Sequence, residues 1–296
     1  MNASTSLLER VLPSVVHIRA DIPEAHASAR LLGTDRMGSG TVVAASGLVL
    51  TVNYVVLGAE RVRVTLLDER TLDAEVVRQD FVSGLALLRV PAERLPALPL
   101  RATGDLQLGD DVFIVASVGE GAVRVSNGAV SSLGAFDANW EYVLERAIMT
   151  TAMNPGLGGG PLLDVRGSMV GVVSLNLNEI GRFSLAIPVD HYLDARDAFV
   201  SGRRGATRAW LGIFCYAMKD RVVVAGLLPD GPGARAGLET GDVVVAVDGH
   251  EVPDRRSLYR LLWNHRPGEE VTLRILRGKE MRTLTVASGD AEEFFA

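Results

Sequence analysis

The chain has 296 residues, and 48% of them are hydrophobic, which is enough apolar material for packed cores and excludes a disordered chain. Its net charge of -6 excludes the basic surface typical of nucleic-acid binding. The single cysteine, Cys215, leaves no intrachain disulfide, and its apolar neighbours predict a buried structural thiol.

Targeting signals are missing from the sequence as given. No apolar run reaches the length of a membrane span, so no transmembrane segment is expected. The first residues also lack a basic stretch followed by the apolar core of a secretion signal. These features predict a cytoplasmic protein, or a periplasmic one if a targeting segment precedes this sequence.

Residues 1–200 contain many short runs rich in Val, Leu and Ile, with turn-forming residues near most of their ends. The runs are "SVVHIRA", "GTVVAASGLVLTV", "RVRVTLL", "LALLRV", "DVFIVASV", "VRVSNGAVSSLG" and "MVGVVSLNL". Many short strands with almost no helical periodicity predict an all-β barrel or sandwich. A brief helical turn is expected inside "LTVNYVVLGAE", and a short amphipathic helix with Asp190 as its N-cap inside "VDHYLDARDAFV".

A second unit is expected after a small, basic linker at residues 201–209. Residues 210–290 hold further strands, a short helix near "GARAG" and a longer helix at "SLYRLLWNH". This mixture predicts a small α+β domain. Residues 291–296 are expected to form a C-terminal tail.

Four ordered stretches carry a family resemblance. They are "GSGTVVAASGLVLTVNYVVLGA", "FVSGLALLRV", "NPGLGGGPLLDVRGSMVGVV" and "FSLAIPVD". Together they resemble the protease domain of the HtrA/Deg family of trypsin-like serine proteases, and the second unit resembles the PDZ domain that follows it. The resemblance implies a mainly β fold: a trypsin-like double β-barrel in residues 1–200 and a PDZ domain in residues 210–290.

All three catalytic positions of that family are replaced. The resemblance puts Tyr54 at the place of the general-base histidine, Gly84 at that of the orienting aspartate and Gly158 at that of the nucleophilic serine. A glycine forms no acyl-enzyme, and a phenol with an ordinary pKa of about 10 is a poor base at neutral pH. The backbone N–H groups of Gly156 and Gly158 would remain as a vestigial oxyanion hole, which alone supports little catalysis.

Other chemistry near the glycine-rich loop has weaker support. Substitute nucleophiles in that part of the sequence are Ser168, Ser174 and the Thr150–Thr151 pair, but no histidine falls where the fold would place a base beside them. The loop lacks the Gly-Lys-Ser/Thr ending of a phosphate-binding loop. No cluster of His, Cys and carboxylates has ligand spacing, so neither a metal nor another cofactor is expected. Positive φ is expected at Gly156, Gly159 and Gly160, and Tyr54 is expected to plug the cleft.

The PDZ-like unit keeps the features of a peptide-binding groove. The stretch "WLGI" resembles the carboxylate-binding loop of PDZ domains, in which the backbone N–H groups of Leu211, Gly212 and Ile213 would capture a peptide's terminal carboxylate. The following strand would pair with the peptide. Leu258 and Leu262 on the longer helix would form the groove wall, or alternatively pack in the core together with Leu261.

The sequence therefore predicts a pseudoprotease that works by binding, as a scaffold, a chaperone-like holder or a regulator of an active relative. Its expected partners are protein C-termini or unfolded segments bound by the PDZ domain. The resemblance adds a homotrimer, or a mixed oligomer with an active relative. One alternative is an active serine-type endopeptidase or other hydrolase that uses a non-standard site. Another is a barrel that only spaces a PDZ domain responsible for all function.

Overall fold

A computed structural model describes residues 3–119, 121–178, 181–205, 207–219 and 221–296. The chain divides into two compact units. The first comprises residues 1–134 and 146–205, and the second comprises residues 135–145 and 206–296. Residues 135–145 therefore belong to the second unit, although the sequence placed them inside the first domain.

The first barrel of the first unit has six antiparallel strands. They are β1 (Val15–Asp21), β2 (Asp35–Ala44), β3 (Leu48–Val52), β4 (Arg61–Thr65), β5 (Thr71–Gln79) and β6 (Leu85–Arg89). They close in the order β1-β2-β3-β6-β5-β4. Every residue of β3 is buried, and the strand carries no charge. The accompanying helices are α1 (Ala3–Val11), a 3-10 turn (Leu12–Ser14), α2 (Ala29–Leu32) and α3 (Asn53–Val56), the last of which is the expected helical turn.

The second barrel also closes from six strands. They are β7 (Asp111–Gly119), β8 (Ala122–Asp137), β9 (Val143–Thr150), β10 (Pro161–Asp164), β11 (Met169–Leu177) and β12 (Phe183–Pro188), in the order β10-β11-β12-β9-β8-β7. Two short helices follow, α4 (Asp190–Asp194) and α5 (Arg196–Ser201). The expected single helix is split, and Val189 precedes it in place of an Asp190 cap. The Asp190 carboxylate instead accepts the Thr103 N–H at 3.1 Å.

The second unit is an antiparallel sheet with short helices. Its strands are β13 (Ile213–Met218), β14 (Arg221–Leu227), β15 (Val243–Val247), β16 (His250–Glu251), β17 (Glu270–Arg277) and β18 (Glu280–Ala287). Its helices are α6 (Pro232–Arg235), α7 (Arg255–Leu262) and α8 (Ala291–Phe294). The sheet order is β13-β14-β15-β17-β18, with β16 beside β15, so β13 is an edge strand.

Sequence patterns explain the elements of this unit. In β17, Val271, Leu273 and Ile275 are buried and alternate with exposed residues, which is the period of a half-buried strand. Helix α7 begins after Asp254, whose carboxylate accepts the Ser257 N–H at 2.7 Å as an N-cap. The mainly β fold class predicted from the sequence, a trypsin-like barrel domain followed by a PDZ domain, is confirmed.

The C-terminal residues differ from the expected tail. Asp290 caps α8 by accepting the Glu292 N–H at 2.8 Å. The rings of Phe294 and Phe295 lie 4.8 and 5.9 Å from the Trp210 ring. These last residues therefore pack on the second unit. No helix among the described residues is both long enough and apolar enough to cross a membrane.

Candidate functional site

The structure brings Tyr54, Gly84 and Gly158, the three positions singled out in the sequence, close together. Tyr54 lies on α3, which begins directly after the buried strand β3. Gly84, with a φ of 79°, accepts a 2.8 Å hydrogen bond from the N–H of Asn53 through its carbonyl. The Tyr54 hydroxyl reaches toward Gly158 and donates a 2.9 Å hydrogen bond to the Ser174 carbonyl.

The phenol leaves no space for a side chain at residue 158. A Cβ built on Gly158 would overlap the Tyr54 hydroxyl oxygen and lie 3.0 Å from the Ser174 carbonyl oxygen. Any nucleophile at this position would start from that Cβ. The hydroxyl therefore occupies the point from which a serine side chain would extend.

The Tyr54 hydroxyl is a proton donor in this setting. Burial raises its pKa to about 12. The phenol is therefore neutral at pH 7, and its proton is directed at a backbone carbonyl. A group in this state does not accept a proton from a nucleophile.

The glycine-rich loop is held by hydrogen bonds within the loop and to neighbouring strands. The Gly156 N–H donates to the Asn154 side chain at 3.3 Å, and the Leu157 N–H donates to the Ser117 carbonyl at 2.9 Å. The Gly158 carbonyl accepts the Ser39 N–H at 2.7 Å. The Gly156 N–H expected in an oxyanion hole thus already has a partner.

Of the three loop glycines expected at positive φ, only Gly159 has it, at 99°. Gly156 and Gly160 are required for a different reason. A Cβ on either would collide with a backbone carbonyl, that of Ser117 or Val115 respectively. The prediction of positive φ was therefore wrong at two positions. Glycine is required there because another segment of the backbone approaches closely.

The substitute nucleophiles have structural roles in the fold. Ser174 provides the carbonyl that accepts the Tyr54 hydroxyl. Ser168 lies after β10, where its N–H donates to Asp164 at 2.9 Å. The Thr150 hydroxyl is buried and donates to the Ala129 carbonyl at 2.9 Å.

A serine–histidine pair occurs elsewhere in the first unit. His17 Nδ1 lies 3.0 Å from Ser117 Oγ, with the two residues 5% and 1% exposed. The Ser117 hydroxyl also lies 3.0 Å from the Gly119 carbonyl, toward which it can donate. Sequence reasoning missed this pair because 100 residues separate its members.

The predicted carboxylate-binding loop of the second unit holds a carboxylate from the same chain. The Leu211 N–H donates to Glu141 Oε1 at 2.8 Å, and the N–H groups of Gly212 and Ile213 donate to Oε2 at 2.8 and 3.0 Å. Gly212 has a φ of 74°, which lets consecutive N–H groups point at one anion. This loop therefore has the geometry of an anion-binding nest.

The predicted groove wall is covered as well. Leu258 and Leu262 are completely buried and belong to the same core cluster as Leu211 and Val143. The sequence predicted both leucines at the groove wall, with the core as the alternative. In the structure they lie in a core cluster that also contains Val143 of the 135–145 segment.

Sequence comparisons support both domains. The profile of the trypsin-like peptidase domain matches residues 38–172, and that of the PDZ domain matches residues 209–287. A probable periplasmic serine endoprotease, DegP-like, from Halomonas elongata is 35% identical over 270 residues, covering 86% of this chain and 56% of that protein. The corresponding protein from Hahella chejuensis is 34% identical, with 82% and 55% covered.

The chain is an HtrA/DegP-type protein. It spans about half the length of the curated relatives it matches. A structure of the HtrA-type protease AlgW with a decapeptide is 26% identical with a TM-score of 0.59, covering 98% of this chain and 99% of that one. A serine endoprotease from Yersinia pestis shares the fold at 23% identity, with a TM-score of 0.59 and 98% of both chains covered.

Two further observations concern the metal-binding and reactive side chains of this HtrA-type chain. Among the described residues, no group of three or more His, Cys, Asp or Glu side chains is arranged to hold a metal ion. Cys215 is buried as predicted, and burial raises the pKa of its thiol to about 12, with a further contribution from the Glu141 charge. Glu141 itself gave no signal in the sequence, because it lies 70 residues before the loop it contacts.

Proposed function

We propose that this HtrA-type protein has no peptidase activity and acts by binding peptide C-termini through its PDZ domain. Its role would be that of a scaffold, a chaperone-like holder or a regulator of an active relative. The observation that carries the first part is the Tyr54 hydroxyl at the place where a side chain on Gly158 would begin. Acyl transfer by the trypsin route needs a nucleophile there and a base beside it.

The remaining chemistry of the cleft supports the proposal. Tyr54 is a neutral donor to Ser174, and Gly84 has no side chain with which to orient a base. The Gly156 N–H, expected to stabilise an oxyanion, is bound to Asn154. None of these groups generates or stabilises a tetrahedral intermediate.

The binding part of the proposal is supported by the nest at Leu211, Gly212 and Ile213. Its three N–H groups already hold one carboxylate, which shows that the loop geometry suits such a group. The solved AlgW structures with a tripeptide and a decapeptide are of an HtrA-type protein similar to this chain.

A fluorophosphonate probe and unfolded casein test the absence of hydrolysis. We expect no covalent labelling and no casein fragments above the buffer control, for the wild type and for Tyr54→Phe alike. An active HtrA-type protease serves as the positive control. Labelling or turnover that persists through stringent purification and scales with protein concentration would contradict the proposal.

One observation favours the alternative of a non-standard hydrolase, namely the His17–Ser117 pair. Both residues are nearly inaccessible, so turnover there would require opening of the barrel. Labelling that disappears in Ser117→Ala and His17→Ala but persists in Ser168→Ala would assign activity to this pair. Labelling lost only in Ser168→Ala or Ser174→Ala would instead assign it to the glycine-rich loop region.

The assembly implied by the resemblance is part of the proposal. It is a homotrimer or a mixed oligomer with an active relative, and size-exclusion chromatography with light scattering measures it. A clean monomer, alone and in the presence of an active HtrA-type protein, would remove both assemblies.

A further inference from the structure

The Glu141 side chain has the chemistry of a peptide terminus. Its carboxylate carries the same charge and geometry as a C-terminal carboxylate, and both of its oxygens are used by the nest. A free peptide would need the same three N–H groups of Leu211, Gly212 and Ile213. The two carboxylates therefore cannot bind at the same time.

The backbone before Glu141 lies along the edge strand of the PDZ sheet. The Cys215 N–H donates to the Asn139 carbonyl at 2.6 Å, and Trp140 forms an antiparallel bridge with Phe214. Among the described strands, only β14 pairs with β13, so the 135–145 segment uses the edge at which an extended peptide would add a strand.

The same segment adds an apolar side chain to the core cluster that contains the predicted groove wall. Val143 is 4% exposed and packs in one cluster with Leu211, Leu258 and Leu262. These leucines are the residues expected to receive the last side chain of a peptide. The 135–145 segment thus supplies a carboxylate, an extended backbone paired with the edge strand and an apolar side chain. These are the three elements of a PDZ ligand.

Polar contacts from helix α7 hold the start of the segment. Asp137 accepts hydrogen bonds from Arg255 and Arg256, each at 2.8 Å. The Tyr259 hydroxyl donates to the Ala138 carbonyl at 3.1 Å. These contacts keep the segment close to the groove while the Glu141 end bears the contacts with the nest.

We propose that residues 135–145 are an internal ligand of the PDZ domain, so that a polypeptide with a free C-terminal carboxylate and an apolar last residue binds only when Glu141 leaves the nest. This inference rests on the proposed peptide-binding function and adds its regulation. The internal ligand is always present at high effective concentration, so it lowers the apparent affinity of every external one.

Local features make Glu141 the part of the segment that leaves the nest most readily. Its φ of 26° is unfavourable for a residue with a Cβ, so the docked contacts must offset backbone strain. Burial of the carboxylate raises its pKa to about 7 despite the three N–H donors, which reports a desolvation cost of docking. The ionisable groups around it are Arg255 from α7, the Cys215 thiol from β13 and the Tyr259 phenol from α7.

The test compares full-length wild type, Glu141→Ala and Glu141→Gln, with Glu145→Ala as a matched control. Glu145 lies in the same segment but forms an exposed ion pair with Arg260. Amide exchange of Leu211 and Gly212 is followed by NMR. Peptide binding is measured with a fluorescent decapeptide that ends in valine, and with its C-terminally amidated twin.

We expect the nest amides of Glu141→Ala to exchange about tenfold faster or more than wild type, and the free-acid decapeptide to bind more tightly by a similar factor. Glu145→Ala and the amidated peptide should show neither change. The Leu273 amide in β17 should exchange at the wild-type rate, since only the segment is released.

Equal exchange and equal peptide affinity in wild type and Glu141→Ala would overturn the inference. Faster exchange of Leu273 in step with the nest would also overturn it, because Glu141 would then only stabilise the unit as a whole. A third result separates the two proposals. If the nest amides alone exchange faster in Glu141→Ala but no variant binds the peptide, residues 135–145 are supported as an internal ligand, and the proposed peptide-binding function is contradicted.

Discussion

A methyl group at residue 158 tests whether the Tyr54 hydroxyl fills the space beside Gly158. In Gly158→Ala, the new Cβ meets the phenol oxygen and lies 3.0 Å from the Ser174 carbonyl oxygen. In Tyr54→Phe the obstructing oxygen is gone, and the nearest ring atom, Cζ, lies 3.4 Å from the new Cβ, an ordinary contact. The two substitutions should therefore compensate each other.

The expected magnitudes follow from that geometry. Overpacking at Gly158 costs about 1–3 kcal/mol, and about 0.4–1 kcal/mol is regained because alanine restricts the unfolded chain. Tyr54→Phe leaves the Ser174 carbonyl without its donor, at a cost of about 1–2 kcal/mol. The double variant should be more stable than the sum of the single effects by about 1–2 kcal/mol.

Calorimetry and far-UV circular dichroism measure the effect on the first unit, where about 1 kcal/mol shifts the Tm by 2–4 °C in a domain of this size class. Trp140, Trp210 and Trp263 all lie in the second unit, so tryptophan fluorescence should report an unchanged transition. Gly156→Ala is the matched control. Its Cβ would meet the Ser117 backbone, so Tyr54→Phe should not rescue it.

Additive effects of Gly158→Ala and Tyr54→Phe would refute the reasoning, because the phenol would not then lie against residue 158. A Gly158→Ala variant more stable than the wild type would do the same. Rescue of Gly156→Ala by Tyr54→Phe would show that the compensation is not specific to residue 158.

Three further expectations concern the second unit. Docking of Glu141 should tighten as the pH falls from about 8 to 5. The docked carboxyl has a pKa of about 7 against the usual 4.5, so it binds a proton more strongly than the released carboxyl does. The protection factor of the Gly212 amide, followed against pH, measures the docking. Asp242→Asn should destabilise the unit by about 2–4 kcal/mol in urea unfolding, because it disrupts a buried pair with Arg277. Deleting residues 291–296 should lower the Tm of the unit and shift Trp210 emission to the red, since Phe294 no longer covers that ring.

Each of these has a contradicting result. The pH effect should vanish in Glu141→Gln, and its persistence there would assign it to another group. For the Asp242 pair, Glu239→Gln is the control, because Glu239 is an exposed partner of the same arginine and should cost little. Unchanged Trp210 emission after the deletion would show that α8 does not shield the ring in solution.

Local sequence determined the elements of both units. The short Val- and Leu-rich runs gave the barrel strands, and the alternation of Val271, Leu273 and Ile275 gave β17, because burial on one face requires a period of two. The prediction that Tyr54, Gly84 and Gly158 stand at the three catalytic positions of the family also rests on residue types alone. In contrast, the reason for glycine at residue 156 depends on an approaching backbone that no local pattern encodes.

The sequence by itself determined the two domains and the "WLGI" loop, and it predicted that Gly158 stands where the family carries its nucleophile. Tertiary structure alone decided what lies at the two sites: the Tyr54 hydroxyl beside Gly158, and the Glu141 carboxylate in the nest. The physical reason is the same in both cases. Tyr54 lies far along the chain from Gly158, and Glu141 lies 70 residues before Leu211, so only closure of the fold brings each polar atom to its site.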